Sequence, residues 1–176
     1  TILGPHPSSN SLRYDWYANG DTGGPLKLAP TGNLGGCSAF PANYFSGKIA
    51  LIDWTLNSTG GNECDSVTRA TKVKDAGGLG VIMVYPASAL PSGITGIDTI
   101  PATITTQPVG DALKAALAAG AVGVRLTKDY NAAFNILTPG QVDTLSAFSS
   151  RGPGRVDNAL KPDLAAPGQS IASVDA

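Results

Sequence analysis

Between Gly47 and Tyr85 the chain sets two short apolar runs on either side of one helix-length segment, and this arrangement constrains the fold more than any other feature. Gly47-Lys48-Ile49-Ala50-Leu51-Ile52-Asp53-Trp54 is an apolar run behind a glycine and reads as a buried strand. Leu79 to Tyr85 (LGVIMVY) reads as a second. Between them Asp65 is a good N-cap for a helix over residues 66–76, which Gly77-Gly78 ends. On that helix Val67, Ala70 and Val73 lie near one face. Arg69, Lys72 and Lys74 favour solvent, and basic residues past its middle suit the helix dipole. The order strand, helix, glycine pair, strand defines a strand–helix–strand unit.

Around this unit the pattern is weaker. Residues 1–46 are dominated by turns, with breakers at Asn19-Gly20-Asp21 and Thr22-Gly23-Gly24-Pro25. Tyr14, Trp16 and Tyr17 alternate with polar residues and suggest a short strand. Residues 97–106 alternate Ile and Thr around Pro101, which suits an edge-like strand with an irregularity. Pro108 to Ala119 is the clearest helix: Val109, Leu113, Ala116 and Leu117 form one stripe, with Gly120 at the C-terminal cap. Ala121 to Thr127 closes as a strand. From Lys128 onward the character changes, and residues 141–176 carry too few apolar positions in register to build a core.

Composition narrows the function classes. Charged residues are only 14% of the chain, and Glu63 is its single glutamate. Aspartate favours turns and caps where glutamate favours helix interiors, so the skew fits a chain rich in loops and strands. The net charge of −1 carries no basic stripe, so no nucleic-acid partner is expected. No apolar run approaches the length of a bilayer span, and none is expected. The sequence opens at Thr1 without a methionine or signal peptide and is read as a mature or excised piece.

The two cysteines, Cys37 and Cys64, are expected to pair, because an even count with loop-like flanks suits a secreted, extracellular chain. Such a bridge contributes about 3.5 kcal/mol in the chain-entropy model. The competing reading is two buried free thiols in a cytosolic protein. Asn57-Ser58-Thr59 fits the acceptor pattern for N-glycosylation, which matters in a eukaryotic secretory pathway.

Two stretches resemble known families. The first runs from about Cys37 to Leu126: the Gly-Lys-Ile-Ala-Leu-Ile strand, a loop bearing a Cys, a helix with Lys72 and Val73, and Ala76-Gly77-Gly78-Leu79-Gly80-Val81-Ile82. Ile100-Pro101-Ala102, Gly110 and Leu113 follow. In that order these resemble the protease-associated (PA) domain. The chain departs from it after the first strand, where Trp54 stands at a position that is Arg in many members and the loop to Cys64 is longer. The second stretch is the tail. Phe148-Ser149-Ser150-Arg151-Gly152-Pro153 and Leu160-Lys161-Pro162-Asp163-Leu164-Ala165-Ala166-Pro167-Gly168 look like the catalytic domain of subtilisin-like serine proteases, shortly before the nucleophile segment.

The resemblance implies an α+β, β-rich fold, with two small packed sheets or an open barrel flanked by helices near 66–76 and 109–119. It also implies a PA domain over residues 1–130, a linker over 131–145, and a piece of subtilisin-like catalytic domain over 146–176. That tail is expected to be loosely ordered or to borrow an edge strand. Asp163 resembles an Asp near a weak cation site in some subtilases, which would make calcium a ligand of the parent protease; its competing and favoured reading is a turn or strand-end residue. The site needs other parts of the catalytic domain, so no metal or other cofactor is expected in this chain.

No catalytic residue is assigned. A serine protease needs a nucleophile, a base and an orienting carboxylate. His6 is the only base available, and its Gly4-Pro5-His6-Pro7 setting does not match a subtilase, so it reads as a solvent-exposed terminal His. Ser149 and Ser150 belong to a structural motif. One His and two separated Cys do not make a zinc site. Gly77-Gly78-Leu79-Gly80 follows a helix, the wrong order for a phosphate cradle. Tyr14, Trp16, Tyr17 and Trp54, with Asn57 and Thr59 in loop 55–63, form the candidate recognition surface, since exposed aromatics are common interface anchors. Loops 55–63 and 86–96 are the natural contact surfaces. The expected role is a non-catalytic accessory domain that works beside the parent's catalytic domain, on protein or peptide substrates or through a second copy of itself. The alternatives are a structural spacer and an active hydrolase fragment.

Overall fold

In a computed structural model of the protein, the described residues are His6, 8–91, 93–128 and Ser149. The chain divides into two compact units, Thr1–Phe134 and Asn135–Ala176. The proposed linker and tail, with Ser150 and Asp163, lie outside the described residues, Ser149 excepted.

Six strands form one mixed sheet: β1 (Ser8–Asn10), β2 (Thr22–Leu28), β3 (Ile49–Asp53), β4 (Gly80–Val84), β5 (Ala102–Thr105) and β6 (Gly123–Leu126), in the order β1-β5-β4-β3-β2-β6. The central four run parallel, while β1 and β6 flank them antiparallel. Three helices accompany the sheet: α1 (Trp16–Asn19), α2 (Ser66–Asp75) and α3 (Gln107–Ala119). The α+β, β-rich expectation holds, in the form of one open sheet rather than two small ones.

Central parallel strands are covered on both faces, which is why they read as unbroken apolar runs. Alternation along each strand then sorts side chains between two cores. Ala50, Ile52, Val81, Met83, Ala102 and Ile104 point to one face, where they meet Ala70, Val73 and Ala76 at α2. Ile49, Leu51, Ile82 and Val84 point to the other and meet Leu113 of α3. The steps from β2 to β3, β4 and β5 all move one way across the sheet. Crossovers of one hand must then share a face. They do: Phe40 and Phe45, α2, and Ile94, Ile97 and Ile100 all belong to the first core. On the other face α3 carries the chain from β5 back past β2 to β6, and Tyr14 and Trp16 of the β1–β2 connection pack beside it.

Three local expectations change. Residues 14–17 are not a strand: the Asp15 carboxylate accepts from the amides of Tyr17 and Ala18, both at 2.9 Å, and caps α1. The 97–106 segment does not lie at an edge. Its regular part, β5, sits between β4 and β1, with Pro101 just outside it. Arg69 does not face solvent; its side chain is taken up below.

α3 lies closest to the sheet at Gly110, where an added Cβ would stand 2.2 Å from Val84 Cγ1 and 2.6 Å from Cγ2. Helix propensity alone favours Gly→Ala by about 1 kcal/mol. Overpacking costs about 1–3 kcal/mol, and here the clash is with a fully packed strand residue, so packing wins. Gly110→Ala is expected to lower the urea midpoint despite its better propensity.

Candidate functional site

The loops at the carboxyl ends of the parallel strands are where ligands meet open sheets of this kind. Two of them, residues 54–65 after β3 and 85–101 after β4, form a rim anchored by α2 and the segment before α1.

The anchor of the first loop is Arg69. Its position is 0% exposed, on the stripe Ser66, Arg69, Ala70 and Val73 that α2 turns inward. The guanidinium touches no carboxylate. Nε donates to the Cys64 carbonyl at 3.2 Å, one terminal nitrogen to the carbonyls of Gly35 and Asp53 (2.9 Å) and to Thr55 Oγ1 (3.2 Å), and the other to the Thr55 carbonyl at 3.0 Å. Its plane also lies over the Trp54 ring, 4.7 Å from the centroid. Desolvation pulls its pKa below the usual arginine value, opposed by the charges of Glu63 and Asp65. Gly35 has no room for a side chain: a Cβ would stand 2.1 Å from Thr55 Oγ1.

Beside this cation the disulfide is formed. Cys37 and Cys64 are joined with their Cα atoms 5.7 Å apart, closing a separation of 27 residues. Beyond it the loop is a small hairpin, with Leu56 bridged to Asn62 and a turn over 57–61. Asn57 Oδ1 accepts from Thr59 N (3.1 Å), Thr59 Oγ1 (2.8 Å) and Gly61 N (2.9 Å). The second loop is held at its end, where Ser66 Oγ accepts from the amides of Thr95 (3.2 Å) and Gly96 (3.1 Å). Leu12 N and Arg13 N donate to the carbonyls of Ile94 and Thr95. Lys114 of α3 reaches Asp53 at 2.6 Å and fixes the end of β3 from the opposite face.

The candidate recognition surface divides. Asn57 and Thr59 are exposed together on the hairpin, and Tyr17 is 83% exposed. Tyr14, Trp16 and Trp54 are not surface residues. Tyr14 and Trp16 pack edge to face in the α3-side core, and Trp54 is 8% exposed with its Nε1 donating to Asn62 Oδ1 at 2.8 Å. Their large apolar area is worth more in the core than at the surface. Leu56, 47% exposed, is the apolar residue the rim does present. His6 is half-buried rather than exposed, and its Nε2 is buried without a hydrogen-bond partner. Ser149 is half-buried. Among the described residues, no three His, Cys, Asp or Glu side chains gather as a metal site, and no helix is long and apolar enough to cross a membrane.

Comparison with known proteins gives the same architecture a family. The profile described as "PA domain" matches residues 22–113, from β2 into α3, and the chain belongs to the PA domain family. It is 31% identical over 155 residues to subtilisin-like protease SBT1.7 of Arabidopsis thaliana, a match covering 84% of this chain and 18% of that protein. It is also 31% identical over 128 residues to the C5a peptidase of Streptococcus pyogenes, covering 72% and 10% respectively. The chain thus spans less than a fifth of the length of these relatives. Among solved structures, it is similar to an aminopeptidase from Aneurinibacillus sp. strain AM-1, with a TM-score of 0.41 at 22% identity, over 70% of this chain and 33% of that one. BSAP, a zinc aminopeptidase from Bacillus subtilis, gives a TM-score of 0.39 at 21% identity, over 53% and 21%.

Arg69→Met removes every donor while keeping much of the stem. The carbonyls of Asp53 and Thr55 keep the amides of Thr55 and Glu63, but those of Gly35 and Cys64 are stranded at about 1–3 kcal/mol each, so a loss of about 2 kcal/mol or more is expected in chemical denaturation, with Arg69→Lys falling between the two. The cap of α2 gives a pH signature. Asp65 Oδ1 accepts from Thr68 N at 2.7 Å, and the backbone and side-chain hydrogen bonds of Thr68 hold its carboxyl below the ordinary 3.8. A lowered folded-state pKa means stability present above the unfolded value and lost as pH falls through the folded one. Asp65→Ala is therefore expected to cost about 1 kcal/mol near neutral pH, and its difference from the parent chain to vanish under strong acid.

Proposed function

We propose that this chain is the non-catalytic accessory domain of a secreted subtilisin-like serine endopeptidase, and that its rim governs which protein substrates reach the parent's active site. The observation that carries this reading is the rim itself. Two loops, the exposed 55–63 and the partly buried 86–96, are held in fixed positions by contacts that belong wholly to this domain. Family membership and the similarity to SBT1.7 support the host, and the disulfide supports an oxidising compartment. In the parent, a calcium ion near Asp163 would serve the catalytic domain rather than this rim.

The test uses the parent protease with and without residues 1–130, and a second form changed only at Leu56→Ser and Glu63→Gln. Turnover of a short chromogenic peptide is compared with that of several folded proteins. Peptide turnover is expected to hold while the ranking of folded proteins changes in both forms. Peptide and protein rates falling together, or no change in either, would make the domain a structural insert.

A further inference from the structure

Asn57-Ser58-Thr59 is the only Asn-x-Ser/Thr sequence in the chain, and the structure places it at the tip of the 55–63 hairpin. Residues 56–63 are all exposed. The two halves of the Asn57 amide are used differently. Oδ1 takes three donors, from Thr59 N, Thr59 Oγ1 and Gly61 N, which fixes the side chain. Nδ2 makes no hydrogen bond to any described residue. It lies beside Gly61, where a side chain would bring a Cβ to 3.2 Å from it, so the glycine keeps the space around this nitrogen open. Of the amide, the oxygen alone holds the turn.

We propose that Asn57 is an N-glycan acceptor site that the fold accommodates without rearrangement. The donor would be an oligosaccharide linked to a lipid pyrophosphate. A bond forms between Nδ2 and the anomeric carbon, the anomeric carbon–oxygen bond breaks, lipid pyrophosphate leaves, and one amide proton passes to the transferase base. The remaining N–H and the Oδ1 contacts are untouched, so the turn over 57–61 is the same with or without the sugar. This goes beyond the accessory role proposed above. A glycan at Asn57 takes the hairpin tip out of protein contact and leaves Leu56, at the hairpin base, and loop 86–96 for partners.

The whole 176-residue chain, secreted through a eukaryotic endoplasmic reticulum, provides the test. Intact mass is measured before and after treatment with an amidase that releases N-glycans, alongside Asn57→Gln, Thr59→Ala and Ser58→Ala. The unsubstituted chain and Ser58→Ala are expected to carry a glycan, and the other two none. The glycosylated chain is expected to melt no lower than its amidase-treated counterpart. An unmodified chain from cells that glycosylate a control acceptor would overturn the acceptor assignment. A lower Tm in the glycosylated form would overturn the accommodation. Neither readout involves protease selectivity, so this proposal stands or falls separately from the accessory role.

Discussion

A single buried guanidinium holds the working end of this domain together. At the carboxyl end of β3 the ladder stops, and the chain turns away past Trp54 toward the disulfide. The carbonyls of Asp53 and Thr55, of Gly35 in the preceding crossover and of Cys64 before α2 all converge there, the first two also accepting the amides of Thr55 (3.1 Å) and Glu63 (3.2 Å). Buried acceptors left bare cost more than the hydrogen bonds they make are worth. Arginine suits the position because its fork offers five N–H groups in one plane and keeps its charge when desolvated. A carboxylate partner would have neutralised it but satisfied none of the carbonyls. Dipoles from four backbone groups and the face of Trp54 do both tasks.

The sheet explains why that junction matters. Three crossovers fill one face, while α3 covers the other together with Tyr14 and Trp16, so the two cores are built differently. The first is filled by long irregular crossovers, which need pinning points: Arg69, the disulfide and the Ser66 hydroxyl are those points. In the second, α3 lies close against the strands at Gly110, with Lys114 reaching Asp53. Polar clasps gather on the face where the chain is least regular.

Much of this was legible in the sequence. The β3–α2–β4 unit showed itself through apolar runs, an Asp cap and a glycine pair, all local signals. The strand over 123–126 and the helix over 107–119 were visible for the same reason. The placement of 97–106 was not, because interior or edge position depends on the partners on either side; Thr103 and Thr105 are buried polar residues that read as edge chemistry. The aromatics at 14 and 16 were hidden by their setting in turn-rich sequence, which suggests surface, while Trp54 ends an apolar run and its burial follows that run rather than the polar loop after it. Arg69 is the instructive miss. Its spacing from Ser66, Ala70 and Val73 put it on the inward stripe, and its charge argued the other way. Charge is a reliable guide to exposure only when no set of converging carbonyls is waiting, and those carbonyls come from segments up to 34 residues away.

The same separation bears on how such a domain can discriminate. A loop that orders only when a partner arrives surrenders part of its binding energy to that ordering. Here the hairpin of 55–63 is closed by its own backbone, tied by Arg69 from beneath and by Cys37–Cys64 at its base, and the 94–96 end of its neighbour is tied to Ser66. Those contacts all come from within residues 1–128. The surface offered to a partner is therefore set by this domain's own folding rather than by the partner. On the accessory reading, selectivity then resides in the shape of the rim and the few side chains it exposes, Leu56 foremost. Sequence changes at the hairpin base, at Leu56 and Glu63, can alter what is recognised while the Arg69 clasp and the sheet beneath stay as they are.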